Sequence, residues 1–99
     1  IGQLLLLRSD CKDAQSGEDF LRQLRQQTET ELPSGCRLIG PLPSPMQRRA
    51  GKFRSQLLVT APDRKHAQVA ARLLVQKAQA VPTRGGVKWS IDVDPIDLF

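Results

Sequence analysis

Apolar positions along the chain change period several times, and each change marks an element. Residues 3–8 contain four consecutive leucines, Leu4 to Leu7. That run is too short for a helix and reads as a central strand. Ser16 is placed to cap the helix that follows, with Glu18 and Asp19 suited to its first turn. Phe20, Leu21, Leu24 and Thr28 then recur at helical spacing until Pro33-Ser34-Gly35 stops the helix. Residues 36–40 read as a short strand broken by Pro41, Pro43 and Pro45, which cannot donate ladder hydrogen bonds and so place it at a sheet edge. Arg48-Arg49-Ala50-Gly51-Lys52 has the character of a hairpin tip, and residues 53–61 form a second apolar strand. Pro62-Asp63 opens another helix, capped by Asp63, with an apolar stripe of Ala67, Ala70, Leu74, Ala78 and Val81 that ends at Pro82 and Gly85-Gly86. Residues 87–93 alternate cleanly, with Val87, Trp89, Ile91 and Val93 facing one way and Lys88, Ser90 and Asp92 the other.

The order β-α-β-β-α-β predicts an α+β fold of the split βαβ plait type. Such a fold has a four-stranded antiparallel sheet in spatial order 4-1-3-2, with two helices on one face. The two strands lacking alternation fall in the middle of that sheet. Period-two parity then sorts the side chains. If Leu5, Leu7, Phe53, Leu57, Val59, Trp89 and Ile91 lie beneath the helices, the other face shows Leu4, Leu6, Arg8, Lys52, Arg54, Leu58 and Lys88. An uncovered face that mixes cations with aliphatics marks a docking surface. Its apolar part is expected to be covered by a larger parent protein, leaving the cations at its rim available.

Charge sharpens that expectation. Residues 1–31 hold four basic and six acidic groups, residues 32–91 eleven basic groups and one acid, Asp63, and residues 92–99 three acids. Segregation of this kind focuses a positive field and points to a polyanionic partner; a solvated basic face without a partner is the plain alternative. Ninety-nine residues make one domain. No apolar run approaches the roughly 18 residues of a membrane span, so the expected setting is cytoplasmic, with no membrane partner. The chain begins Ile1-Gly2 inside a strand-like run, and its 39% apolar content is low for an independent globule. Both features suggest a piece of something longer. Cys11 and Cys36 with a single histidine, His66, do not supply the four closely spaced ligands of a zinc site. They read as reduced thiols, and no cofactor is expected in this chain.

Candidate chemistry is concentrated in the middle. Arg48, Arg49, Lys52 and Arg54 put four cations within seven residues that contain no acid. On a hairpin they could reach phosphates on either side of a groove, with Lys88 nearby. Base reading is less suited to the composition. The aromatics are Phe20, Phe53, Trp89 and Phe99, Trp89 has core parity with stacking as its alternative, and the aromatic signature of RNA-recognition modules is missing. Gly51-Lys52 is not a phosphate-binding loop, since Met46 stands where the first glycine belongs and Phe53 where Ser or Thr would hold magnesium. Asp92, Asp94 and Asp97 read as strand-end acids answering Lys88 or Arg84. The absence of asparagine excludes acylphosphatase chemistry, and no catalytic residues are assigned. Arg64 and Gln68 lie one turn apart at the start of the second helix, where free N–H groups and the positive dipole end favour a carboxylate. That pair suits an acidic peptide or chain terminus; an ordinary exposed polar face is the alternative.

The run Gly40-Pro41-Leu42-Pro43-Ser44-Pro45, the segment from Arg49 to Leu58 and the ending Val87-Lys88-Trp89-Ser90-Ile91-Asp92-Val93-Asp94-Pro95-Ile96 together resemble the C-terminal domain of the primosomal protein N′ (PriA) helicases. The resemblance covers essentially the whole chain. It implies a single accessory domain, residues 1–99, of an ATP-dependent 3′-to-5′ DNA helicase that restarts replication through primosome assembly. The ATP, magnesium and zinc sites of such a parent would lie upstream. It further implies binding of branched and single-stranded DNA. Arg64 and Gln68 would match positions that line the site for the acidic tail of single-stranded-DNA-binding protein, although Lys65-His66-Ala67 between them depart from the family. Two rivals stay open: a protein-interaction module that docks on the helicase core with little DNA contact, and an RNA-binding ribosome-type protein.

Overall fold

A computed structural model describes residues 2–49, 51–83 and 86–93, with the side chains of Ala14 and of residues 43–49 outside the description. Its elements are β1 (Gln3–Cys11), α1 (Ala14–Thr28), β2 (Arg37–Arg49), β3 (Lys52–Ala61), α2 (Arg64–Ala80) and β4 (Lys88–Val93). The strands form one antiparallel sheet in the order β2-β3-β1-β4. The α+β plait expected from the pattern is the observed architecture, with the leucine-rich strands β1 and β3 at the centre.

One face of the sheet carries the core. Leu5 and Leu7 on β1 stand opposite Val59 and Leu57 on β3, and these four are fully buried with Phe20, Leu21 and Leu24 of α1 and Ala67, Ala70, Leu74 and Ala78 of α2. Burying each such leucine is worth about 1.5–3 kcal/mol. Both helices therefore cover one face, and the stripe anticipated for α2 is the stripe that is buried. Close approach at one point depends on a missing side chain. A Cβ on Gly17 would lie 3.1 Å from the Ser9 hydroxyl oxygen, and that hydroxyl donates to the Gly17 carbonyl at 3.3 Å. Glycine there lets α1 settle onto β1.

Three boundaries differ from expectation. First, α1 is capped by Asp13, not Ser16. The Asp13 carboxylate accepts from the Gln15 backbone N–H at 3.1 Å and from the Ser16 hydroxyl at 2.7 Å, so Ser16 supports the cap from inside the first turn. Second, β2 does not stop at Gly40 but runs to Arg49, through the prolines, with register shifts after Ile39 and after Pro43. An edge strand tolerates proline because one side of its ladder needs no donors. Arg25 of α1 donates to the Gly40 carbonyl and anchors this irregular edge. Third, β1 continues three residues beyond Arg8, which carries Asp10 onto the sheet.

Both helix caps are carboxylates whose pKa lies below the ordinary value. Asp63 is held down first by the His66 backbone N–H and then by the His66 ring; Asp13 is held down first by the Ser16 hydroxyl and then by the Gln15 N–H. A folded pKa below the unfolded value of about 3.9 stabilises the fold above that value, and the gain is lost as pH falls through the lower folded value. The urea midpoint should therefore hold steady from neutral pH down to about pH 5 and drop below about pH 4. Asp63→Asn, which keeps a capping oxygen, should flatten that drop; an unaltered acid profile in the variant would show that the cap is not its source.

Candidate nucleic-acid interface

The face of the sheet away from the helices is organised by cross-strand registers. Residues directly opposite in an antiparallel ladder share a face. Leu4, Leu6, Arg8 and Asp10 of β1 therefore lie with Lys52, Arg54, Gln56, Leu58 and Thr60 of β3, Lys88, Ser90 and Asp92 of β4, and Arg37, Ile39 and Leu42 of β2. Among the described residues this face holds five cations, Arg8, Arg37, Lys52, Arg54 and Lys88, against two carboxylates, Asp10 and Asp92. Four of the basic residues from the middle of the chain, Arg37, Lys52, Arg54 and Lys88, thus share this face with Arg8, while Arg64, Lys65, Arg72 and Lys77 lie on α2.

Those cations are not equally available. Arg54 Nε meets Asp10 Oδ1 at 2.8 Å, with both side chains about one-third exposed. Arg8 Nη1 meets Asp92 Oδ2 at the same distance, diagonally across β1 and β4. Lys88 stands opposite Asp10 on its other side and is exposed, while Lys52 is half-buried at the start of β3. No ion pair joins either lysine to a carboxylate among the described residues. Arg48 pairs with Phe53 and Arg49 with Lys52 along the ladder, and the turn carries Gly51 at φ +76°, which a side chain would strain. The side chains of Arg48 and Arg49, and Ala50 itself, lie outside the described residues. So do Arg84, Asp94 and Asp97; Asp92, expected to answer Lys88 or Arg84, answers Arg8.

The aliphatic part of the face also differs from parity alone. Leu6 is only 5% exposed, whereas Ile39 and Leu42 on β2 are 47% and 43% exposed. A central-strand side chain is flanked on both sides, here by Leu58 and Asp92, and exposure shifts to the edge strand. Trp89 packs against the core beneath the helices, opposite Ser9, and so is not a stacking platform on the open face.

Arg64 and Gln68 are brought together at the start of α2, both exposed. The dipole end beside them is already answered, because Asp63 Oδ1 accepts from the His66 N–H at 2.9 Å and sits 2.6 Å from the His66 ring Nδ1. One position round the helix, Lys65, His66 and Val69 line a shallow groove of about 200 Å³ with Pro33. Neither Cys36 nor Cys11 is in a disulfide. Burial and then the Asp63 charge push the Cys36 thiol up, and a protonated thiol is a poor nucleophile. Among the described residues no group of three or more His, Cys, Asp or Glu is placed to hold a metal ion, and no helix is long and apolar enough to cross a membrane.

Sequence reasoning missed Asp10. The signal was there: after the leucines, the charged Arg8 and Asp10 alternate with the small Ser9 and Cys11, a period of two that would have extended the strand.

Known proteins bear on this geometry. A family model described as the primosomal protein N C-terminal domain matches residues 1–96. The replication restart protein PriA of Haemophilus influenzae is 31% identical over 93 residues, which is 94% of this chain and 12% of that protein. The chain thus spans about an eighth of that relative's length. Two solved structures share the fold. The de novo designed protein Foldit4 matches with TM-score 0.62 at 5% identity, over 95% of this chain and 99% of its own. A hydantoinase/carbamoylase family amidase from Burkholderia ambifaria matches with TM-score 0.58 at 14% identity, over 93% of this chain and 27% of its own. At those identities the likeness is one of fold alone.

Proposed function

This chain belongs to the primosomal protein N C-terminal domain family, and on that premise we propose that it is the DNA-binding accessory domain of a cytoplasmic replication-restart helicase. The observation that supports this most directly is the excess of cations over carboxylates on the open sheet face, next to the hairpin that carries Arg48, Arg49 and Lys52. In this reading Arg48, Arg49, Lys52 and Lys88 contact phosphates of forked and single-stranded DNA, and Arg54 joins them when released by Asp10. The domain has no catalytic role. ATP hydrolysis, with its magnesium, and the structural zinc belong to the rest of the parent.

Arg64 and Gln68 complete the proposal as a separate surface for the acidic tail of single-stranded-DNA-binding protein. Arg64 is exposed and has no ion-pair partner among the described residues, so its forked donor is free to take a carboxylate. With Asp63 capping the helix, the side chains of Arg64 and Gln68 rather than the helix end would do the binding. Arg64→Ala should weaken a tail peptide about tenfold, the worth of one charge-assisted hydrogen bond, and leave DNA binding unchanged. Arg49→Ala with Lys52→Ala should do the reverse, weakening every DNA structure to a similar degree. Loss of forks with retention of single strands would instead indicate that DNA shape is being read.

A second reading draws on Ile39 and Leu42, whose exposure beside the half-buried Leu4 and Leu58 suits docking against the helicase core. A module of that kind would touch DNA hardly at all. Titration of the chain with tail peptide and with forked DNA separates the two: peptide binding without DNA binding favours the docking module.

A further inference from the structure

We propose that Asp10 and Asp92 mask the open sheet face, each carboxylate standing where a DNA phosphate would otherwise sit. This rests on the reading of that face as one that meets DNA. Asp10 lies at the centre of a row that crosses three strands, Arg54–Asp10–Lys88, and is held by Arg54 at 2.8 Å. Asp92 holds Arg8 in the same way. A carboxylate in contact with a guanidinium occupies the donors that a phosphate oxygen would use. Cross-strand neighbours are about 5 Å apart at Cβ, so any phosphate drawn to Arg54 or Lys88 also meets the negative charge of Asp10.

The arrangement is a competition and not a permanent closure. Arg54 and Asp10 are 28% and 34% exposed, and Arg8 and Asp92 are 40% and 50% exposed. Pairs this open to solvent are weak and screened by salt, and a phosphate array held nearby by Arg49, Lys52 and Lys88 can displace them. The face therefore engages DNA that is already positioned by the hairpin and resists stray polyanions. Asp10 and Asp92 act as specificity-determining residues that lower non-specific affinity.

The test is DNA affinity of the 99-residue chain as a function of salt, using a fluorescent forked duplex, for the wild type, Asp10→Asn, Asp92→Asn and Asp19→Asn. The last removes one charge from α1, on the helix layer, where Asp19 pairs with Arg22. Asp10→Asn and Asp92→Asn should each bind about threefold more tightly at low salt, the repulsion of two unit charges about 6 Å apart in water. Each should also steepen the slope of log K against log salt by about 0.9, one more phosphate contact, while Asp19→Asn matches the wild type. An equal gain in Asp19→Asn, or no gain in either sheet variant while the wild type stays salt-sensitive, overturns the masking and leaves the DNA-binding reading intact. If the wild type and all variants bind without salt dependence, that reading falls, and the masking with it.

Discussion

Leu57→Ala is expected to lower the free energy of unfolding by about 2–5 kcal/mol. Leu57 is fully buried on the central strand β3, directly opposite Leu7 of β1, with the helices above. The inward face of α2 is mostly alanine: Ala67, Ala70 and Ala78 with a single leucine, Leu74. The helix therefore packs close to the sheet, and the leucines of β1 and β3 supply much of the volume between the layers. Truncating one leaves a hole that rigid strands on both sides cannot close. Against a total stability of about 5–15 kcal/mol for a domain of ordinary size, that loss is large. Urea denaturation should show a lower midpoint with unchanged slope. Val69→Ala is the matching control, since Val69 is 52% exposed and its loss should change stability by less than about 0.5 kcal/mol. A Leu57→Ala variant as stable as the Val69→Ala variant would mean that Leu57 is not part of the core.

The second large effect concerns salt. Four phosphate contacts, from Arg48, Arg49, Lys52 and Lys88, give a slope of log K against log salt of about −3.6 on duplex DNA, 0.9 per contact. Raising salt from about 50 to about 200 mM should then weaken binding about 150-fold. The dependence arises because each cation that meets a phosphate releases a condensed counterion, and the entropy of that release shrinks as bulk salt rises. Arg54 is left out of the four because Asp10 holds it, which is why the sheet-face variants are expected to steepen the line. Fluorescence anisotropy of a labelled fork across a salt series measures the slope. A flat line would rule out phosphate contact as the source of affinity and favour the docking module.

The two surfaces make separable demands on the molecule. The hairpin and the open face lie on the sheet, while Arg64 and Gln68 sit at the start of α2 on the helix layer. A partner peptide and a DNA backbone could be held together without competing for the same donors. Asp63 links that second surface to folding, because the carboxylate that caps α2 also places negative charge beside Arg64. In the proposed reading, an acidic tail bound there would meet that charge as well as the arginine.

Much of the architecture was legible along the chain because it depends on periodicity. Four consecutive leucines, a helical stripe of small residues and a cleanly alternating last strand each admit one packing solution, and together they define the plait with its two buried central strands. The α2 stripe from Ala67 to Val81 is buried residue for residue, since a 3.6-residue period leaves no choice of face. The family was legible too, in the proline-rich run and the ending from Val87 to Ile96. Local chemistry was harder to place. Asp13 and Ser16 are both good caps, and in the structure the helix starts at Ala14, with Asp13 extended at the cap and Ser16 already inside the first turn. Prolines at alternate positions signalled an edge, but that the strand continues past them is set by its pairing with β3, which resumes at Leu42 and again at Arg48 after register shifts.

Sequence alone determined that this protein is a plait with its basic residues concentrated between two acidic ends, because period and charge are properties of the order of residues. Tertiary structure alone decided which of those cations remain available. Asp10 and Arg54 are 44 residues apart, and Arg8 and Asp92 are 84 apart, so no local pattern announces either pair. They meet because antiparallel registers lay β1 between β3 and β4, and an electrostatic contact is set by distance in space, to which separation along the chain is indifferent.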